Sequence, residues 1–432
     1  MNKRILRLAI PNIVSNLSVP LVGLVDIALM GHQSDSAYIG AIALGSTVFT
    51  FIYAGLLFLR MGTSGFTAQN RGARNIPESF LILGRALGLA LIFGILLILL
   101  QKPIAWLAFH FLNASPEVKT IAEIYFKTRI WAAPATLGLY AITGWYIGMQ
   151  NAKTPMWITI SVNLINIAFS LLFILVFDMK AKGVALGTLI AQYSGLVIAV
   201  LLLLKHKHRM QVFWKLKSLV DVKALTSFMH VNKNILIRSL LLTGSFYFFN
   251  AKSAGLGNDI LAVNSLLLQF LWIFSYFIDG FAFAAEALTG RYIGAGDRKN
   301  LKLVIKKLFV WGVSVSMLVS LVYLLFNKEI ILLLTDQASV IALSREYRVW
   351  VILLPIISFS AFVWDGIFIG ATAGKALRNA MIIAVVFIFV PAIYFFSELW
   401  NNHGMWAALS LFMFARGFFL FLSYPKNIVI KP

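Results

Sequence analysis

The sequence predicts an all-α membrane protein, with twelve transmembrane helices in two six-helix lobes related by an internal repeat. Three observations carry that prediction. The 432 residues are 60% hydrophobic with a mean hydropathy of +0.87. Charged residues make up 12%, against about 25% in soluble domains. Apolar runs of spanning length recur along the chain, each close to the ~20 residues a helix needs to cross a bilayer. Finally, one shift superposes distant motifs. Thr67, Gly72 and Ala73 fall on Thr289, Gly294 and Ala295, and Gly144, Ile147, Gly148 and Lys153 fall on Gly366, Ile369, Gly370 and Lys375. An unchanged offset of 222 residues at two separate places marks a duplicated unit. Six spans per unit give both copies the same membrane orientation, as in the parallel repeats of some transporters.

The first helix is expected over 5–31 and carries the most informative stretch, Ser18 to Gly31. Asp26 sits within it, six residues after Pro20. A carboxylate at the centre of a spanning helix costs about 2.5–3.5 kcal/mol on insertion scales and is kept for function. Pro20 removes a backbone hydrogen bond and weakens the helix next to that acid. Met30 falls near the Asp26 face at helical spacing. The basic start, Lys3-Arg4-Ile5-Leu6-Arg7, could open a secretory signal. The apolar run is too long for one and no small-residue cleavage site follows, so the segment is read as a retained helix.

The following helices are expected over 38–65, 80–101, 120–148, 156–177 and 183–204, then 233–254, 260–286, 303–326, 341–369, 378–397 and 403–424. The domain reading is an N-terminal lobe at 1–204, a basic cytoplasmic linker at 205–232 and a C-terminal lobe at 233–432. The net charge of +21 would suggest nucleic acid in a soluble protein. Here most Lys and Arg residues fall in alternate loops, and Lys205, Lys207, Arg209, Lys215, Lys217 and Lys223 crowd the linker. That bias follows the positive-inside rule and places both termini and the linker in the cytoplasm. A nucleic-acid partner is therefore not invoked, and the partners expected are the bilayer and a small organic, cationic or amphipathic molecule bound by a monomer. The absence of cysteine excludes disulfides and thiolate metal sites. No Walker-type loop appears, and the six histidines show no metal-ligand spacing. No cofactor, metal or enzymatic constellation is expected.

Polar residues inside the spans mark the candidate sites. Asn163, Asn166 and Ser170 share one face of the fifth helix, and Thr188 and Gln192 form an i,i+4 pair in the sixth. Such groups seek partners within the bundle, and Asp26 is the simplest partner for this set. Arg238, Asp279 and Asp365 are the buried charges of the second lobe, with Arg238 the natural counter-ion of either acid; Glu286 lies one heptad beyond Asp279. Tyr140, Asn250, Asn264 and Gln269 are candidates to line a substrate cavity.

Several of these stretches together resemble one family. The first helix with Pro20 and Asp26, Ala43-Leu44-Gly45-Ser46 and Leu59-Arg60-Met61-Gly62-Thr63 resemble the multidrug and toxic compound extrusion (MATE) transporters. Asp279-Gly280-Phe281-Ala282 and Trp364-Asp365-Gly366-Ile367-Phe368-Ile369-Gly370 are similar to the bacterial DNA-damage-inducible branch. The resemblance implies a two-lobe antiporter of the bacterial inner membrane that expels organic compounds in exchange for protons or sodium. It makes Asp26 the coupling acid, Pro20 the bending proline, and Asn166 and Thr188 members of the coupling site. Relatives commonly carry a second acid where this chain has Ser170, which leaves Asp26 as the acid in the middle of the first lobe. The expected function is therefore proton-coupled export, with Asp26 exchanging the proton and helix one bending at Pro20. A sodium-coupled antiporter and a flippase for lipid-linked precursors are the alternatives.

Overall fold

The computed structural model describes residues 1–31, 37–111 and 114–428; the side chains of Leu24, residues 26–31, Phe111 and Leu216 lie outside the description. The described chain is α-helical with short π and 3-10 insertions. In the first half the helices are α1 (Asn2–Gly31), α2 (Ala37–Leu56), α3 (Phe58–Gly72), α4 (Ile76–Leu99), α5 (Gln101–Phe111), α6 (Pro116–Arg129), α7 (Ala133–Gly148), α8 (Lys153–Leu171) and α9 (Lys180–Leu203). Two short helices, α10 (Lys207–Phe213) and α11 (Leu216–Leu219), lead into the second half. There follow α12 (Val222–Gly255), α13 (Asn258–Gly294), α14 (Arg298–Leu334), α15 (Ala338–Gly370), α16 (Gly374–Ile382) and α17 (Val390–Asn427).

These helices make twelve crossings. The pairs α2–α3 and α6–α7 each make one broken crossing, and α17 contains a break at Trp400 and Asn401 that separates the eleventh crossing from the twelfth. Large apolar side chains line the outside, including Leu91, Leu99, Leu164, Leu175, Leu324 and Phe387. In a bilayer the outer face loses nothing by being apolar, so the small and polar residues turn inward.

Chain contacts divide the molecule into two units, Val14–Met229 and Met1–Ile13 with His230–Pro432. Within the first unit α7 presses on α3: a Cβ on Gly144 would strike the Arg60 carbonyl, and one on Gly148 the Ser64 carbonyl. Within the second, α15 meets α13 in the same way, Gly366 against Ala282 and Gly370 against Glu286. Each pair of the second unit lies 222 residues beyond its counterpart, the offset read from the sequence. Helix ends repeat as well. Asn75 caps α4 by accepting from the Glu78 amide at 3.2 Å, and Asp297 caps α14 by accepting from the Asn300 amide at 3.0 Å. Arg74 and Gly296, just before those caps, both have positive φ.

The polar link is more ordered than expected from its composition. Residues 207–213 and 216–219 are helical, and α12 begins at Val222, eleven residues before the expected start of the seventh helix. Trp214 Nε1 donates to the Phe80 carbonyl at 2.7 Å, and Arg85 Nη2 donates to the Ser218 carbonyl at 2.8 Å. Gly84 leaves room for Leu219 and Trp214 against α4. One tryptophan and one buried arginine therefore fasten a basic, exposed segment to the end of α4.

Candidate functional site

The first unit brings α1, α8 and α9 together through a polar seam. Asn163 Nδ2 donates to Ser18 Oγ at 2.8 Å, and that hydroxyl donates to the Ser15 carbonyl at 2.7 Å. One turn on, Asn166 Nδ2 donates to Thr188 Oγ1 at 3.0 Å, and Thr188 donates to the Val184 carbonyl at 3.1 Å. Asn166, Ser170 and Thr188 are buried. Asn166 Oδ1 and Ser170 Oγ are buried oxygens with no hydrogen-bond partner among the described residues. The closeness of α8 and α9 has a simple cause, since a Cβ on Gly187 would lie 2.6 Å from Ser170 Oγ. Asn163 thus reaches α1, and Asn166 reaches Thr188 on α9. Gln192 is half-buried on α9. Asp26 and Met30 belong to α1, but their side chains lie outside the described ones. Helix α1 runs from Asn2 to Gly31 with Pro20 inside it.

The first unit also holds an aromatic and basic group. Tyr53 and Tyr140 meet edge to face with centroids 6.4 Å apart. Arg129 donates to the Tyr125 hydroxyl and stands 4.7 Å from the Phe49 ring centroid. Tyr140 is therefore packed against Tyr53, within the electrostatic reach of Arg60 and Arg129.

In the second unit Arg238 on α12 pairs with Asp365 on α15, one of its two candidate acids. A second arginine, Arg416 on α17, reaches the same Asp365 oxygen at 2.8 Å. Asp279 is half-buried on α13. Asn264 departs from the expectation that it lines a cavity. It is fully buried, it donates to Ser253 Oγ and Asn402 Oδ1 at 2.7 Å each, and it accepts from Trp406 Nε1 at 2.8 Å and Asn402 Nδ2 at 3.0 Å. All of its ordinary donors and one acceptor oxygen are engaged by protein, so it is a packing amide next to the break in α17. Gln269 is exposed, and Asn250 is half-buried, its Oδ1 without a partner among the described residues. No group of three or more potential metal ligands occurs among the described residues.

The MatE family model matches the chain twice, over residues 11–172 and 235–395. The chain belongs to the MatE family of transporters. It is 36% identical to the DNA damage-inducible protein F of Escherichia coli over 417 residues, covering 96% of this chain and 90% of that protein. It is 24% identical to a probable multidrug resistance protein of Thermotoga maritima, over 80% of this chain and 75% of that one. Its fold matches a MOP-superfamily transporter from Pyrococcus furiosus with a TM-score of 0.90 at 20% identity, over 99% of this chain and 95% of that chain. A Vibrio cholerae MATE transporter matches at 0.86 and 17%, over 98% and 96%. The two MatE matches fall one in each half, as the repeated glycine contacts do.

Arg416 is the residue that sequence reasoning passed over. An arginine in the twelfth helix carries the same signal as Arg238, a charge inside a span. It was overlooked because its run, Phe414 to Phe421, reads as an apolar helix end. Its acid lies 51 residues away, so only the fold pairs them.

Proposed function

We propose that this MatE protein is a secondary active exporter of small organic compounds in the bacterial inner membrane, driven by inward movement of a proton. The observation that carries the reading is the seam of α1, α8 and α9, where Asn163 holds Ser18, Asn166 holds Thr188, and two buried oxygens have no partner among the described residues. A polar seam with spare acceptors inside a bilayer is unfavourable unless something hydrogen-bonds to it. A protonated Asp26 supplies such a donor, while an ionised Asp26 orders the amide and hydroxyl groups around its charge. Exchange between the two states changes what α1 is bound to. Pro20, six residues before the acid, is where the helix gives way. The substrate is then released as the first unit changes shape. A proton crossing 100 mV supplies about 2.3 kcal/mol, enough for roughly a fifty-fold gradient of a neutral compound. Relatives named for multidrug resistance support the cargo class.

Sodium coupling is the second reading, and the same spare oxygens favour it, since Asn166 Oδ1 and Ser170 Oγ are hard donors of the kind sodium takes. One assay separates the two. Dye efflux from proteoliposomes is followed under an imposed pH gradient or an imposed sodium gradient, for wild type and Asp26→Asn. Proton coupling predicts efflux under the pH gradient alone and loss of it in Asp26→Asn. Efflux by Asp26→Asn at the wild-type rate would remove Asp26 from the mechanism.

A further inference from the structure

Two buried guanidinium groups of the second unit share one carboxylate oxygen. Arg238 Nη2 and Arg416 Nη2, from α12 and α17, both donate to Asp365 Oδ2 on α15. One carboxylate thus serves two cations, and the triad alone carries a net positive charge. Arg416 Nη1 ends 3.0 Å from Met413 Sδ, a weak acceptor. Its guanidinium carbon stands 5.6 Å from the Phe412 ring centroid and 5.9 Å from that of Phe362. The Nε atoms of both arginines are buried and meet no acceptor among the described residues. Asp279 and Arg238 both act on Arg416 electrostatically, so the surrounding charges attract and repel it at once. All three residues are buried, Arg238 and Asp365 with 6% of their surface exposed and Arg416 with 2%.

We propose that Arg238 and Arg416 form an anion-binding site that takes one carboxylate or phosphate group, of a small organic anion or a lipid headgroup, in competition with Asp365. The guanidinium fork matches those groups in shape and presents two parallel donors to them. Asp365 holds the forks together in the empty site, and an incoming anion supplies the acceptors that the two Nε groups lack. The site belongs to the second unit and does not rest on the reading of the coupling seam.

The test is calorimetric titration of the purified protein in uncharged detergent with succinate, with inorganic phosphate, and with neutral succinamide as control. Succinate and phosphate bind the wild type and succinamide does not. Asp365→Asn keeps the side-chain shape and removes the competing charge, so succinate binds about tenfold tighter, the scale of one charge-assisted hydrogen bond. Adding Arg416→Gln reverses that gain. A triad that only braces three helices gives the opposite pattern, with Asp365→Asn less thermostable and no better at binding succinate, and that result overturns the proposal. If Asp365→Asn is recovered folded with succinate present but not with succinamide, the site is supported by rescue. If it folds with neither, the wild type decides, and heats for succinate and phosphate no larger than for succinamide overturn the proposal. Nanodiscs identify the source of the anion. A headgroup ligand makes phosphatidylglycerol weaken succinate binding relative to phosphatidylcholine, and a soluble ligand leaves it the same in both.

Discussion

Thr188 shows how much of the seam depends on single atoms. Its hydroxyl accepts from Asn166 and donates to the Val184 carbonyl. Thr188→Val keeps the shape and removes both roles, leaving the Asn166 amide buried beside an Oδ1 that has no partner among the described residues. The expected loss is about 1–3 kcal/mol, read as a lower melting temperature in detergent, with slower dye efflux. Thr188→Ser keeps the hydroxyl and should restore both. A melting temperature unchanged in Thr188→Val would mean that the pair is idle. Asp297 gives a residue-scale prediction outside the membrane. Its carboxylate accepts from the Asn300 side chain at 2.7 Å and from the Asn300 amide at 3.0 Å, and these bonds hold its pKa below the usual carboxylate value. A depressed folded pKa stabilises the α14 start above the unfolded pKa, and that stability is lost as the pH falls through the folded pKa. Amide exchange in the first turn of α14 should therefore speed up under acid in wild type. In Asp297→Asn, which keeps the cap without the charge, the acid effect should be absent.

At the scale of the helices, the close crossings within each unit follow from glycines in register. Gly144 and Gly366 each lie against a backbone carbonyl, of Arg60 and Ala282 respectively. A backbone cannot swing aside as a side-chain tip can, so Gly366→Ala forces α15 off α13. Overpacking of this kind costs typically 1–3 kcal/mol. Gly144→Ala should do the same to α7 and α3, and both should lower the melting temperature. Gly88 has nothing within 4 Å of an added Cβ, so Gly88→Ala should be neutral or stabilising, which makes it the control. If all three variants melt alike, the glycine contacts do not set the crossings. The correspondence of these glycines was legible before the structure, because the 222-residue offset already matched Gly144 to Gly366 and Gly148 to Gly370; that they press on backbone carbonyls was not. The breaks in the helices were not. The 3-10 turn at Ile130–Ala132, the π-turns at Leu172–Val176 and Ile383–Phe389, and the left-handed Asn401 come from tertiary packing and leave little trace in hydrophobic periodicity.

Across the whole molecule, hydropathy made the twelve crossings legible, because a bilayer admits a spanning helix only if it is long and apolar. The site was legible in part. Helical spacing alone grouped Asn163, Asn166 and Ser170, but no local signal could show that Ser18 would reach Asn163, 145 residues away. Asn264 was misread for the matching reason, since an isolated amide does not reveal that Asn402 and Trp406 will saturate it. Orientation rests on another kind of argument, the crowding of Lys and Arg into alternate loops, which we propose holds both termini and the segment between α9 and α12 in the cytoplasm. The absence of cysteine makes this directly testable. Glu117 at the start of α6 and Lys223 at the start of α12 are both exposed, and an odd number of crossings separates them. In whole cells, Glu117→Cys should react with a membrane-impermeant maleimide. Lys223→Cys should react only after the cells are opened. Both positions lie outside the apolar spans, so neither substitution should alter efflux, and that assay reports that the labelled protein is folded. The reverse pattern would turn the molecule over and make the basic link extracytoplasmic. Labelling of both sites from outside would break the count of crossings between α6 and α12, because three spans place their ends on opposite sides of the membrane.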